Sequence, residues 1–187
     1  MIKILISSIL SGVMISIGTI AYLNTTPIIG AFVFAIGLLS ILYLKTNLFT
    51  GKVPYMKNYK ELPYIITILL GNLMGCCTMF AFPHENALNI VQSKLDTHPV
   101  ILFIEAILCN ILIYIAVEVN KLNDKITLIL AIAAFIIAGF EHSIANACFI
   151  ISARIFNIDV LINILIVICG NAFGGILIHM VHRRMLD

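Results

Sequence analysis

The stretch AGFEHSIANACFI, residues 138–150, decides how this chain is read. Glu141 and His142 stand side by side in it, preceded by DKITLILAIAAFII, which is apolar after its first two residues, and followed by more apolar sequence. An ionisable group inside a hydrocarbon layer costs several kcal/mol, so it faces a cavity or a partner and marks a functional position. Gly139, just before the pair, offers the backbone freedom to interrupt a helix there.

The surroundings of that stretch are those of a membrane protein. Hydrophobic residues make up 61% of the 187, charged residues only 11%, and the mean hydropathy is +1.12. A soluble domain carries about a quarter charged residues. The net charge of +2 is spread along the links and says nothing of a nucleic-acid partner, and none is expected. The cysteines Cys76, Cys77, Cys109, Cys148 and Cys169 all lie in apolar runs, without the spacing of a metal site or a disulfide framework, and read as buried, unreactive thiols. The first apolar run resembles a signal peptide in its flanking charge. It lacks an A-x-A-like cleavage site and is followed by five more such runs, so it is expected to be a retained first helix.

Six apolar runs fall at about 4–23, 28–44, 62–82, 99–118, 126–150 and 158–180. Each approaches the ~20 residues that a bilayer core requires. The link between the third and fourth has room for a short surface helix, and nothing is left for a soluble domain. The expectation is an all-α membrane protein of six transmembrane helices in a single domain, 1–187. With a cytoplasmic N-terminus, Lys3, Lys45, Lys52, Lys57, Lys60, Lys121, Lys125, Arg183 and Arg184 fall inside, and only Lys94 and Arg154 outside. That bias predicts that both termini are cytoplasmic, in a cell inner (plasma) membrane. Arg154 is read as an interfacial anchor.

The halves, about 1–83 and 97–187, resemble each other. ILSGVMISI in the first run parallels ILCNILIYI in the fourth, and GNLMG (71–75) parallels GNAFGG (170–175). Three helices per half make this a 3+3 inverted repeat, with the second and fifth helices broken at LFTG (48–51) and GFEHS (139–143). Gly51 and Gly139 are the expected hinges, and the breaks must face protein or a water-filled path. Asn72 and Asn171 match by the repeat and are expected to satisfy loop carbonyls and N–H groups.

At these residues the chain resembles the formate/nitrite transporter family. SGVMISIG (11–18), NLFTG (47–51), AILCNILIYIAV (106–117), GFEHSIAN (139–146) and GNAFGG (170–175) are similar to its motifs, in register over nearly the whole chain. The resemblance implies an aquaporin-like fold without Asn-Pro-Ala motifs, a homopentamer in membrane lipid, and transport of a small anion without a cofactor or an enzymatic reaction. It implies His142 as the central histidine with Thr50 facing it, Asn110 nearby, and Lys94 as a vestibule lysine that attracts anions. Glu141 would accompany the histidine, either lining the path or orienting backbone N–H groups of the broken helix; the second is preferred, because a bare carboxylate repels an anion. Asn171 supports the site, and Asn110 is divided between support and substrate contact. Leu38, Leu48 and Phe49 would form one constriction, Phe34 and Phe135 the other. The chain departs from the family in its brevity, in starting almost at the first helix without an amphipathic segment, and in Glu105, expected to pair with a lysine of a neighbouring helix or subunit.

Formate or nitrite is the expected substrate, with hydrosulfide, acetate or lactate as alternatives within the family. Two other classes remain open at this level: an aquaporin-type neutral-solute channel, and a membrane enzyme or redox protein using His142 and the cysteines. The first fits poorly with a Glu-His pair, the second with the lack of a second histidine deep in the membrane, since His84 and His98 lie in one exterior loop and His179 and His182 near the cytoplasmic end.

Overall fold

The computed structural model describes residues 1–186, and all the regular structure in them is helical. The long helices are α1 (Ile2–Leu23), α5 (Leu62–Cys76), α7 (Pro99–Lys121) and α10 (Ile158–Leu186). Between them lie shorter ones: α2 (Pro27–Val33), α3 (Ala35–Tyr43), α4 (Phe49–Lys52), α6 (Glu85–Leu95), α8 (Lys125–Ile137) and α9 (Ser143–Ala153). Four stretches are long and apolar enough to cross a bilayer: Ile2–Leu23, Tyr59–Ala81, Pro99–Lys121 and Ile158–Leu186. The second and fifth apolar runs are not continuous helices of that length. Residues 28–44 divide between α2 and α3 at Phe34, and residues 126–150 divide between α8 and α9.

Local chemistry sets these boundaries. Pro27 and Pro99 open α2 and α7, where a missing N–H costs nothing. Asp124 caps α8 by accepting from the Thr127 N–H at 3.0 Å. The interruption after α8 is made by Gly139 at φ +74°, a left-handed conformation that costs glycine little. At the other interruption Gly51 is not a hinge: it lies inside α4 with negative φ, and Lys45, at φ +55°, takes the left-handed position that ends α3. Arg154 does the same at the end of α9, at φ +57°, and its guanidinium Nη2 donates to the Phe80 carbonyl at 3.4 Å.

The long helices interlock in two pairs, α1 with α5 and α7 with α10. A Cβ on Gly12 would stand 2.1 Å from the Asn72 carbonyl oxygen, and one on Gly75 2.2 Å from that of Ile9; on Gly174 it would stand 2.5 Å from that of Ile107. Backbone meets backbone at these places, the close packing that small residues permit. The short helices fill the space between the pairs, α2 against α8 and α6 against α9. The outward faces carry Ile17, Ile66, Leu70, Ile104 and Leu130, all exposed and apolar as a lipid-facing surface must be. The cysteines are not uniformly buried: Cys77 and Cys169 are exposed, while Cys76 and Cys148 pack sulfur to sulfur at 3.3 Å between α5 and α9.

Candidate functional site

Two asparagines hold the ends of two short helices in the same way. Asn72 of α5 accepts from the N–H of Phe49, the first residue of α4, and donates to the carbonyls of Asn47 and of Ser8 in α1, each at 2.8 Å. Asn171 of α10 accepts from the N–H of Ser143, the first residue of α9, and donates to the carbonyls of Glu141 and of Ala106 in α7, again each at 2.8 Å. Both side chains are fully buried. A helix start leaves backbone N–H groups without partners; each amide satisfies one of them and the loop carbonyl just before it, and ties both to a carbonyl of a neighbouring long helix.

The residues just before these helices then occupy matching places, Leu48 ahead of α4 and His142 ahead of α9. Their backbones agree closely, with φ and ψ of −104° and 133° at Leu48 and −106° and 114° at His142. His142 caps α9 itself: its Nδ1 accepts from the Ala145 N–H at 3.1 Å. Its Nε2 lies 2.9 Å from the Thr50 hydroxyl, which α4 carries to it from 92 positions away. An Nδ1 that accepts a hydrogen bond carries no proton, so the neutral ring holds its proton on Nε2 and donates it to Thr50 Oγ1. The Thr50 hydroxyl hydrogen is thereby free to donate elsewhere. Both residues are nearly inaccessible, at 0% for Thr50 and 2% for His142.

Two cavities reach this neighbourhood, the first at His142 and the second at Leu48 and Gly51, which stand on either side of Thr50 in the chain. One, of about 500 Å³, has Phe34, Phe135, Lys94, Glu141 and His142 on its wall. The other, of about 440 Å³, is walled by Leu38, Leu48, Gly51, Lys52 and Val117 among others. Phe34 and Phe135 meet edge to face with centroids 6.3 Å apart, and Phe135 stacks on the His142 ring at 5.8 Å. Leu38, Leu48 and Phe49 are all buried, the first two on the wall of the second cavity. Asn110 donates to the Asn171 carbonyl at 2.7 Å, while its Oδ1 is buried without a partner.

Glu141 and Lys94 differ from their sequence-based expectations. The Glu141 side chain does not orient backbone N–H groups. One carboxylate oxygen accepts from Lys94 Nζ at 2.7 Å, and the other accepts from the Asn146 amide. Asn171 serves the backbone instead. A carboxylate 3% exposed needs a counter-charge, and α6 supplies it by packing against α9. Lys94 is therefore not a free cation, because its charge is offset by the glutamate. Its ammonium, 16% exposed, still has N–H donors for the cavity. Glu105 is half-buried on the same cavity wall and makes no ion pair among the described residues. Asn146, which completes the Glu141 pair, was not singled out from the sequence. Its position one turn beyond Glu141–His142 on α9 is the signal that marks it.

A family model described as Formate/nitrite transporter matches residues 1–183. The uncharacterized transporter YwcJ of Bacillus subtilis strain 168 is 30% identical, over 78% of this chain and 70% of its own length. The uncharacterized transporter YrhG of the same strain is also 30% identical, over 81% of this chain and 68% of its own. Among solved structures, a pentameric formate channel with formate bound superposes with a TM-score of 0.85 at 23% identity, covering 98% of this chain and 96% of that one. An ion channel of the same family gives 0.87 at 20% identity, covering 100% and 90%. At these identities the structural likeness is one of fold.

Proposed function

This chain belongs to the formate/nitrite transporter family, and from that premise we propose that it is a channel for small monovalent anions of weak acids, formate or nitrite foremost. It is an all-helical, multi-pass membrane protein. We read it as one domain of six spans in a 3+3 inverted repeat, with α2–α4 and α8–α9 as the broken second and fifth spans. The matching bonds of Asn72 and Asn171 support that symmetry. Both termini are proposed to face the cytoplasm across the plasma membrane, on the distribution of Lys and Arg. Five copies are proposed to assemble, as in the pentameric formate channel of the same fold.

The observation that carries the reading is the Thr50–His142 hydrogen bond, buried between two cavities and flanked by apolar rings. In the proposed path an anion leaves the first cavity past Phe34 and Phe135. A bare charge pays a heavy desolvation cost there, and the protonated acid pays far less. At the centre the Thr50 hydroxyl, relieved of its hydrogen-bond duty toward His142, donates to the substrate oxygen. His142 stays neutral, because taking a second proton on Nδ1 would break its cap on α9. The substrate accordingly draws its proton from water rather than from the imidazole. Lys94, held by Glu141, and Asn110 offer further N–H groups along the route. Leu38, Leu48 and Phe49 close the exit. The gradient alone drives the flux.

The test is uptake of radiolabelled formate into proteoliposomes over a range of pH. The parent is expected to carry formate well above protein-free vesicles, and His142→Ala to lose most of that flux and alter its pH profile. A His142→Ala profile equal to the parent's would remove the histidine from the mechanism. Nitrite, hydrosulfide, acetate and lactate in the same assay rank the substrates.

A further inference from the structure

Glu105 of α7 is the one acidic side chain lining the first cavity, among the described residues, that the transport reading does not use. The titratable groups sharing that wall are Tyr22 of α1, Lys94 of α6, Glu105 itself, Glu141 and His142. Neither α8 nor α10, which also pack against α7, adds an ionisable side chain to it. Lys94 and Glu141 are locked together at 2.7 Å and cancel. His142 is neutral by its capping bond, and Tyr22 is a phenol. Once those are set aside, the unpaired charge of the cavity is the Glu105 carboxylate. A vestibule leading to an anion path thus carries a net negative charge at neutral pH.

A negative wall in a narrow, low-dielectric cleft repels monovalent anions and concentrates protons. The two effects act together, since the protons that gather there neutralise Glu105. Half-buried at the mouth rather than sealed behind the phenylalanines, the carboxyl exchanges protons with solvent directly. We propose that Glu105 is a charge filter at this mouth: ionised, it keeps anions out of the cavity, and protonated, it admits them. It is a specificity-determining residue, distinct from the Thr50–His142 centre. The inference rests on the anion-channel reading and adds to it a residue that sets when anions gain access.

The filter is tested in proteoliposomes of sorted orientation, with the pH on the α6 side stepped between about 4.5 and 8, across the carboxyl range, while the opposite side is clamped. Glu105→Gln keeps the shape and removes the charge. It is expected to carry formate about fivefold faster than the parent at neutral pH, as a unit charge some 8 Å away through partly screened protein implies. Its dependence on the α6-side pH should flatten, whereas Glu105→Asp should keep the parent's slope. Glu105→Lys should exceed Glu105→Gln. A Glu105→Gln profile that overlays the parent's, or a slower rate at neutral pH, overturns the filter. The same comparison with nitrite and thiocyanate separates the two claims. A parent that carries thiocyanate but neither formate nor nitrite sinks the substrate assignment, while the ratio of Glu105→Gln to parent still decides the filter. A parent that carries no monovalent anion overturns both.

Discussion

The hydrogen bond between His142 and Thr50 has a fixed direction: Nε2–H donates, the threonine oxygen accepts, and the capping bond from the Ala145 N–H to Nδ1 enforces it. Thr50→Val preserves the side-chain outline, removes the hydroxyl offered to substrate, and leaves the imidazole N–H buried without an acceptor. A hydrogen bond to the protonated substrate contributes about 0.5–1.5 kcal/mol, so formate flux should fall by about two- to tenfold. Thr50→Ser, which retains the oxygen, should recover most of it in the same uptake assay.

The Lys94–Glu141 pair should behave as a unit. Lys94→Met leaves a carboxylate in a site 3% exposed, and removing one partner of a buried pair costs about 3–5 kcal/mol. The midpoint of thermal unfolding in detergent should drop clearly for Lys94→Met and less for Glu141→Gln. The double variant should be more stable than Lys94→Met alone. Additive losses would mean that the two side chains act independently.

Asn72→Leu and Asn171→Leu should destabilise the protein to a similar degree, since each strands the first N–H of a short helix and one loop carbonyl, and unties that segment from α1 or α7. Each unsatisfied buried group costs about 1–3 kcal/mol. Failure to purify as a monodisperse species is the expected result for both. Survival of one variant with an unchanged melting point would break the equivalence of the two sites.

The cap of α8 sets a pH dependence outside the membrane. Hydrogen bonds from the Thr127 hydroxyl, and then from its backbone N–H, hold the Asp124 carboxyl below its ordinary value. A depressed folded-state pKa means that the cap's contribution is fully present above the unfolded value, about 3.9, and is lost as pH falls through the lower folded one. Amide exchange at Ile126–Leu128 should therefore be insensitive to the cap's ionisation from neutral pH down to that region. Asp124→Ala should raise exchange there at neutral pH.

The class of fold was legible because hydropathy acts locally: six apolar runs in an otherwise charge-poor chain leave little alternative to a helical membrane protein. The family was legible because its short motifs keep their order. Contacts over long separations were not. Glu141 and Lys94 are 47 residues apart, and nothing in either segment announces the other. The lysine looked like a lone exterior charge and the glutamate like a ligand of backbone N–H groups. The hinge at Gly51 was misread for a related reason. Glycine permits a left-handed turn without requiring one, and the turn fell at Lys45, where the chain has to reverse toward α4. The asparagines were easier, since a polar amide amid packed glycines has few roles besides satisfying backbone.

The glycine contacts between α1 and α5 and between α7 and α10 bear on how fast the molecule can work. Oxygen and carbon atoms of facing main chains already touch there, so neither long pair can slide or rock without collision. With each pair held rigid inside, opening for a solute is expected to fall to lighter parts between the pairs: a ring turning about χ2, a leucine changing rotamer, the α4 segment shifting by a fraction of its length. Such movements last nanoseconds to microseconds, whereas swinging a bundle takes microseconds to milliseconds. Turnover should rise with concentration well past the ceiling that a rocking carrier imposes.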